Sequence, residues 1–372
     1  MFNRRSSVNK NKTIIIAAGG TGGHVFPALA IAQQLIKNDF KVIWLGTAEG
    51  IESSVAPDND IPLHTLQLIG IRGKSFFQKL AAPLLMARGV CSALLLLRKH
   101  RPCCVLGMGG FASAAGGVAA SLLAIPLVIQ EQNAIAGTTN RILARFAIKI
   151  FTGFPNVFAS HKSASYSGNP LRTSFSQQLL SNESASRDEA SESTPINILV
   201  LGGSLGAHSL NEVVPSALAT LSTETDFSVR HQAGKRDAAM VVETYQSSHI
   251  NARVDAFIDD IYQAYNKADL VIARAGALTV SEIAAVGVAC VLVPYPYATD
   301  DHQRANAEWL VRTGGAICIN DAEFTVAKAT TVIGELLASR SELVVKGNKV
   351  SSLAMPNATD IIADACLGYA YV

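Results

Sequence analysis

The 372-residue chain is 49% hydrophobic and only 16% charged. That composition excludes a disordered or fibrous protein, and the length suits two domains with separate cores. The formal net charge of +2 hides an asymmetry: residues 1–169 carry 17 Lys/Arg against 6 Asp/Glu, and residues 170–372 carry 14 against 23.

A basic N-terminal half predicts an anionic partner, a phosphate or a membrane surface. No basic run with interleaved aromatics supports nucleic acid. Residues 1–12 form a basic extension with Arg4, Arg5, Lys10 and Lys12. The TIIIAA run behind it is broken by GGTGGH after a handful of residues, too short for a signal-peptide core. That run, 13–18, predicts a buried strand. Gly19-Gly20-Thr21-Gly22-Gly23 then forms a turn into a helix that includes PALAIAQQLIKN, 27–38. His24 stands at the start of that helix. A lone histidine is more often structural than catalytic, but this one is placed as a general-base candidate.

Further strands are expected at 41–46, 103–108, 125–130 and 148–153, alternating with helical stretches. Segment 71–89 mixes Ile71, Phe76 and Phe77 with Arg72, Lys74, Lys79 and Arg88. It reads either as a core helix with a solvated basic face or as an interfacial segment for anionic lipid. Residues 102–130 carry no charge, but Gly107, Gly109, Gly110, Gly116, Gly117 and Pro126 argue for strand, turn, helix and strand, not a membrane span. The six cysteines form no CxxC pair, so they are expected to be free thiols.

The Ser/Glu-rich stretch 176–195 reads as an exposed connector. Beyond it, strands are expected at 196–202, 227–234, 253–258, 269–274 and 289–295. Apolar strands alternating with helices predict parallel sheets, hence an α/β chain of two doubly wound domains. The second domain opens as the first does, with Gly202-Gly203-Ser204-Leu205-Gly206. Such glycine turns at strand ends present helix N-termini to phosphate. Neither turn is a GxGxxG fingerprint, which disfavours a nicotinamide enzyme. In ARAGALTVSEIAAVG, 273–287, Thr279 and Glu282 read as a capping box, with sugar-diol binding by Glu282 as the rival reading. Gln303 lies just beyond a strand end, with an amide able to read a ligand.

GGTGGHVFPALAIA, LGMGGFAS (106–113), QEQNAIAG (130–137), GNPLR (168–172), GGSLGA (202–207), FIDD (257–260) and RAGALTVSEIAA (274–285) follow one another in this order. Together they resemble the MurG family of N-acetylglucosaminyltransferases, which convert lipid I to lipid II in peptidoglycan synthesis. The resemblance runs from about residue 13 to about residue 320. It implies a GT-B fold, two Rossmann-like domains facing across a cleft: 13–170 for the lipid acceptor, 171–354 for UDP-N-acetylglucosamine, and 355–372 packing back on the first domain.

The roles it implies are these. Thr21, Gly22 and Gly23 lie against the donor, Asn133 contacts its sugar side, and Arg172 reaches the nucleotide. Ser204 binds phosphate and Ile258 meets uracil. Ala277, Leu278, Thr279, Val280, Ser281 and Glu282 line the nucleotide, with Glu282 on the ribose, and Gln303 meets sugar hydroxyls. His24 is the first choice of base and Glu131 the second, with no metal or other cofactor. Departures from the family pattern are Leu205 and Gln130, where glutamine and histidine are common. The implied place of work is the cytoplasmic face of the inner membrane, held peripherally at an anionic surface, with cell-wall synthesis proteins as partners. An epimerase acting on the same donor is the alternative, and a nucleotide-sugar sensor without turnover a more distant one.

Overall fold

The computed structural model describes residues 12–67, 76–172, 174–175, 194–203, 206–223 and 225–370, without the side chains of 76–82. The chain divides into two compact units, Met1–Arg172 with Asn357–Val372, and Thr173–Pro356.

The first unit holds a seven-stranded sheet. Its strands are β1 (Thr13–Ala17), β2 (Lys41–Thr47), β3 (Leu63–Leu66), β4 (Cys104–Gly107), β5 (Leu127–Glu131), β6 (Lys149–Thr152) and β7 (Ala164–Tyr166). They are ordered β3-β2-β1-β4-β5-β6-β7 and pair in parallel throughout. The intervening helices are α1 (Gly22–Lys37), α2 (Glu52–Asp58), α3 (Phe76–His100), α4 (Gly110–Leu122) and α5 (Thr138–Leu143).

β1 is TIIIA with all five residues buried, as a central strand covered on both faces requires. Its side chains alternate between two cores. Ile14 and Ile16 pack with Val25, Ile31, Leu35 and Trp44 on one face. Ile15 and Ala17 pack with Leu96, Leu97, Ala112 and Ala115 on the other.

The second unit holds a six-stranded parallel sheet, ordered β10-β9-β8-β11-β12-β13. Its strands are β8 (Ile196–Leu201), β9 (Phe227–Gln232), β10 (Ala252–Asp255), β11 (Leu270–Ala273), β12 (Ala289–Leu292) and β13 (Ala316–Cys318). Its helices are α6 (His208–Leu221), α7 (Gly234–Ser247), α8 (Ile261–Lys267), α9 (Ala277–Val286), α10 (His302–Val311), α11 (Val326–Leu337) and α12 (Arg340–Ser351). Asp260, Thr325 and Ser339 cap α8, α11 and α12 by accepting a first-turn N–H. α9 stops at Gly287, whose φ of +67° is the left-handed conformation that glycine adopts freely. The buried pair Arg340–Asp269, at 2.9 Å, ties α12 to the start of β11.

The last helix, α13 (Ala358–Gly368), packs on α1 in the first unit, burying Ile362, Ala363 and Cys366 in the same core as Ile14 and Trp44. All six cysteines are free thiols. A side-chain hydrogen bond with Cys366, together with burial, pushes the Cys104 thiol well above its ordinary range, so this contact is inert packing.

Three strands escape the sequence reading: β3, β7 and β13. All are sheet edges. They are short and only partly buried, so they lack the continuous apolar run that marks the central strands.

Candidate active site

In each sheet the strand order reverses once, between β1 and β4 in the first and between β8 and β11 in the second. Ligands of open α/β sheets bind at the carboxyl ends of the strands at such a point. The glycine-rich turns lie there, and so do the N-termini of α1, α4, α6 and α9. None of these four helices begins with a side-chain cap. Their first N–H groups are therefore left to backbone or ligand acceptors.

In the first unit, His24 sits in the first turn of α1, and its Nδ1 lies 3.3 Å from Gly19 O. The second glycine turn, after β4, closes on the same ring. Gly109 is the N-cap of α4 with φ +96°, and a Cβ there would come within 3.0 Å of His24 Nε2. Thr21 is the N-cap of α1. Phe26 follows one turn later and packs on Gly22, where a Cβ would meet it at 3.1 Å. The Arg172 guanidinium stacks 4.5 Å from the centre of the Phe26 ring. Thus Thr21, Gly22, Gly23, His24 and Arg172 share one neighbourhood, although Arg172 ends the first stretch of the unit and the others lie near its start.

Glu131 ends β5 and is 2% exposed. Its Oε1 accepts from Asn133 N at 3.0 Å and from Asn133 Nδ2 at 3.4 Å. Its Oε2 accepts from Gly137 N and Asn140 Nδ2, both at 2.9 Å. A carboxylate offers about four acceptor positions, and here the fold takes all of them. This geometry makes Glu131 a brace for the β5–α5 turn and the anchor of Asn133. Gln130, Gln132 and Asn169 form a buried amide network beside it, with Asn169 Oδ1 accepting from Gln130 Nε2 at 3.0 Å.

Glu52 was not singled out by the sequence reading. It is 0% exposed, opens α2, and receives Gly20 N at 3.0 Å, Thr47 N at 2.8 Å and Thr47 Oγ1 at 2.6 Å. The available signal was an acid just past Gly46 and Gly50, at the start of the helix that follows, in a half poor in acids.

In the second unit Ser204 lies outside the described residues. Gly203 O accepts from Gln232 Nε2 at 3.0 Å, and Gln232 Oε1 accepts from Ile258 N at 3.0 Å. One side chain thereby joins the glycine turn to the FIDD loop, with the Ile258 side chain itself buried.

Beyond β11, Arg274 donates to the Val293 and Pro294 carbonyls at 3.1 and 3.2 Å, to Ser209 Oγ at 2.9 Å, and to Asp321 Oδ1. It thus fixes the end of β12 against the start of α6. His231 is fully buried between Tyr245 OH and Asn211 Oδ1, each at 3.0 Å. Burial lowers its pKa to about 3, so it stays neutral.

The capping-box expectation at Thr279–Glu282 is corrected. α9 begins at Ala277 with Gly276 as N-cap and no side-chain cap bond, so Glu282 lies in the second turn, 5% exposed. Ala277, Leu278, Thr279, Val280 and Ser281 make up the rest of that start, where Ser281 Oγ donates back to Ala277 O. Gln303 lies in the first turn of α10, and its Oε1 accepts from Tyr295 N at 2.9 Å.

Of the expected membrane segment, Ile71, Arg72 and Lys74 lie outside the described residues. Phe76, Phe77 and Lys79 are placed on α3 by backbone alone, and Arg88 is exposed on that helix. Among the described residues, no group of three or more His, Cys, Asp or Glu could hold a metal ion. No described helix is long and apolar enough to cross a membrane.

Two family models match the chain: the glycosyltransferase family 28 N-terminal domain at residues 14–152 and its C-terminal domain at 197–361. A UDP-N-acetylglucosamine–N-acetylmuramyl-(pentapeptide) pyrophosphoryl-undecaprenol N-acetylglucosamine transferase of Ectopseudomonas mendocina is 44% identical over 353 residues, 95% of this chain and 97% of that protein. The crystal structure of MurG from Acinetobacter baumannii superposes with a TM-score of 0.80 at 36% identity, covering 96% and 99% of the two chains. The UDP-GlcNAc 2-epimerase of Neisseria meningitidis reaches a TM-score of 0.63 at 14% identity over 96% and 99%, a likeness of fold alone.

Proposed function

The chain belongs to glycosyltransferase family 28, and we infer from that premise that it moves N-acetylglucosamine from UDP-N-acetylglucosamine to the muramyl residue of a pyrophosphoryl-undecaprenol-linked acceptor. It is a glycosyltransferase with two Rossmann-like domains of the GT-B class. The observation that carries the substrate reading is the 44% identity over nearly the whole of both proteins to a transferase named for this donor and acceptor. The reaction serves peptidoglycan synthesis by turning lipid I into lipid II.

In our reading the muramyl C4 hydroxyl attacks donor C1 from the face opposite UDP, and the configuration inverts. The C1–O bond to UDP breaks and UDP leaves with the electron pair. The hydroxyl proton passes to His24, whose position at the glycine turn supports the assignment. Charge growing on the pyrophosphate is met by helix N-termini and by Arg172, with Ser204 assigned to phosphate by resemblance. Thr21, Gly22, Gly23 and Asn133 are assigned to the donor. So are Ile258 at the base, Ala277–Glu282 along the nucleotide, and Gln303 at the sugar. We assign residues 13–170, with 355–372, to the acceptor and residues 171–354 to the donor.

Peripheral attachment to the cytoplasmic face of the inner membrane is part of the same proposal, since the acceptor carries a polyprenyl tail. Exposed Arg88 and Leu84 on α3 support a basic, apolar docking face. The experiment is a transfer assay with radiolabelled UDP-N-acetylglucosamine, with and without a lipid I analogue. Label in the lipid only when acceptor is present is the expected result. N-acetylmannosamine formed from donor alone would overturn the transferase reading in favour of an epimerase.

A further inference from the structure

The peptide unit between Gly19 and Gly20 is held at both of its polar ends. Its N–H donates to Glu52 Oε2 at 3.0 Å. Its carbonyl oxygen lies 3.3 Å from His24 Nδ1. The chain has no cis peptide among the described residues, so N–H and C=O point to opposite sides of the unit. Fixing the N–H on Glu52 therefore aims the C=O at the imidazole. A carbonyl only accepts, so the hydrogen of that contact sits on Nδ1, and in the neutral ring Nε2 then carries none.

Glu52 is itself immobilised. Besides Gly20 it receives both the N–H and the hydroxyl of Thr47, and it is 0% exposed. Three glycines make room for it. A Cβ on Gly19 or Gly50 would overlap a carboxylate oxygen, and one on Gly46 would come within 2.6 Å of Glu52 Cγ. Gly20 holds φ +100° with nothing within 4 Å of where its Cβ would stand, so the turn is pinned from beneath and open above. A buried carboxylate drawing on the peptide N–H also polarises the carbonyl and strengthens it as an acceptor.

We propose that Glu52 is a positioning residue for His24, acting through the Gly19–Gly20 peptide to hold the imidazole in its Nδ1–H tautomer with Nε2 turned to the acceptor hydroxyl. The arrangement is a carboxylate–peptide–histidine relay of orientation; no proton travels along it. The role rests on the reading of His24 as general base.

The test uses the full-length enzyme and the Glu52→Gln variant, with ring-15N spectra of 15N-histidine-labelled protein and His24→Ala to identify the resonance. The expected result is an Nδ1–H tautomer in the wild type that is lost or mixed with Nε2–H in Glu52→Gln. kcat should fall about tenfold or more while donor KM stays within about twofold. In the His24→Ala background, Glu52→Gln should add less than about a further twofold loss, because the two act as one unit. An unchanged Nδ1–H tautomer in folded Glu52→Gln, or additive losses in the double variant, would overturn the proposal and leave the base reading standing. Near-normal turnover of His24→Ala would remove the base reading, and with it the catalytic purpose of the relay. If Glu52→Gln does not fold, the wild-type spectrum decides, since an Nε2–H tautomer at His24 excludes the relay.

Discussion

Gln34 donates a 2.6 Å hydrogen bond to Asp360, which lies 326 residues further along the chain. The contact seats α13 on α1, the helix whose first turn carries His24. Ile362, in the same helix, is 0% exposed in the core behind β1. Ile362→Ala should cost about 2–5 kcal/mol, the usual price of emptying a packed core site. Urea unfolding checks it, read as a lower midpoint with an unchanged slope. Activity per folded molecule should stay near wild type at low temperature.

His24 and Glu131 separate by what their loss does. His24→Ala should lower kcat about 10²-fold or more with little change in melting temperature, as for a lost general base. Glu131→Gln should do the reverse, since it replaces an acceptor of four hydrogen bonds by a group that donates at one end. Leaving the buried Asn140 amide unmet costs about 1–3 kcal/mol. Thermal melts beside steady-state kinetics for both variants give the comparison.

Gly109→Ala should impair catalysis beyond its effect on stability. The residue holds φ +96°, where an L side chain is strained by about 1–3 kcal/mol. The added methyl would also stand 3.0 Å from His24 Nε2. Either the ring or the start of α4 must shift. A kcat loss of about tenfold or more, with the variant still folded by circular dichroism, is the expected outcome.

His231 gives the second unit a pH-dependent stability. Buried between Tyr245 and Asn211, it has a pKa of about 3 when folded, against an ordinary 6.5. Between those values the unfolded chain binds more protons, so this contribution falls as pH drops and is complete above 6.5. At about pH 5 the wild type should have lost about 2 kcal/mol relative to neutrality, from ~1.4 kcal/mol per pH unit. His231→Gln should flatten that dependence, measured by urea midpoints across the range.

The central strands were legible because burial on both faces demands an apolar run, as in the IIIA of β1 and the ILVL of β8. The edge strands β3, β7 and β13 were not, because a half-solvated strand has no such demand on its sequence. Both glycine turns were legible for a related reason: backbone that must approach a ligand or another chain segment cannot carry side chains. The start of α9 was misread at Thr279–Glu282, since S/T-x-x-E also occurs inside a helix, and only the backbone shows where the first turn lies.

By itself the sequence determined the class of the molecule, two parallel-sheet domains each opening on a glycine turn, and it singled out His24 beside one of them. Local patterns sufficed for that, because periodicity and turn chemistry are read along the chain. Only the tertiary structure decided which groups hold the histidine. Glu52 and Gly109 lie tens of residues away in sequence, and what selects them is the space around one peptide and one ring. Such selection leaves no local pattern, since a carboxylate that orients a peptide and one that is merely solvated are spelled with the same letter.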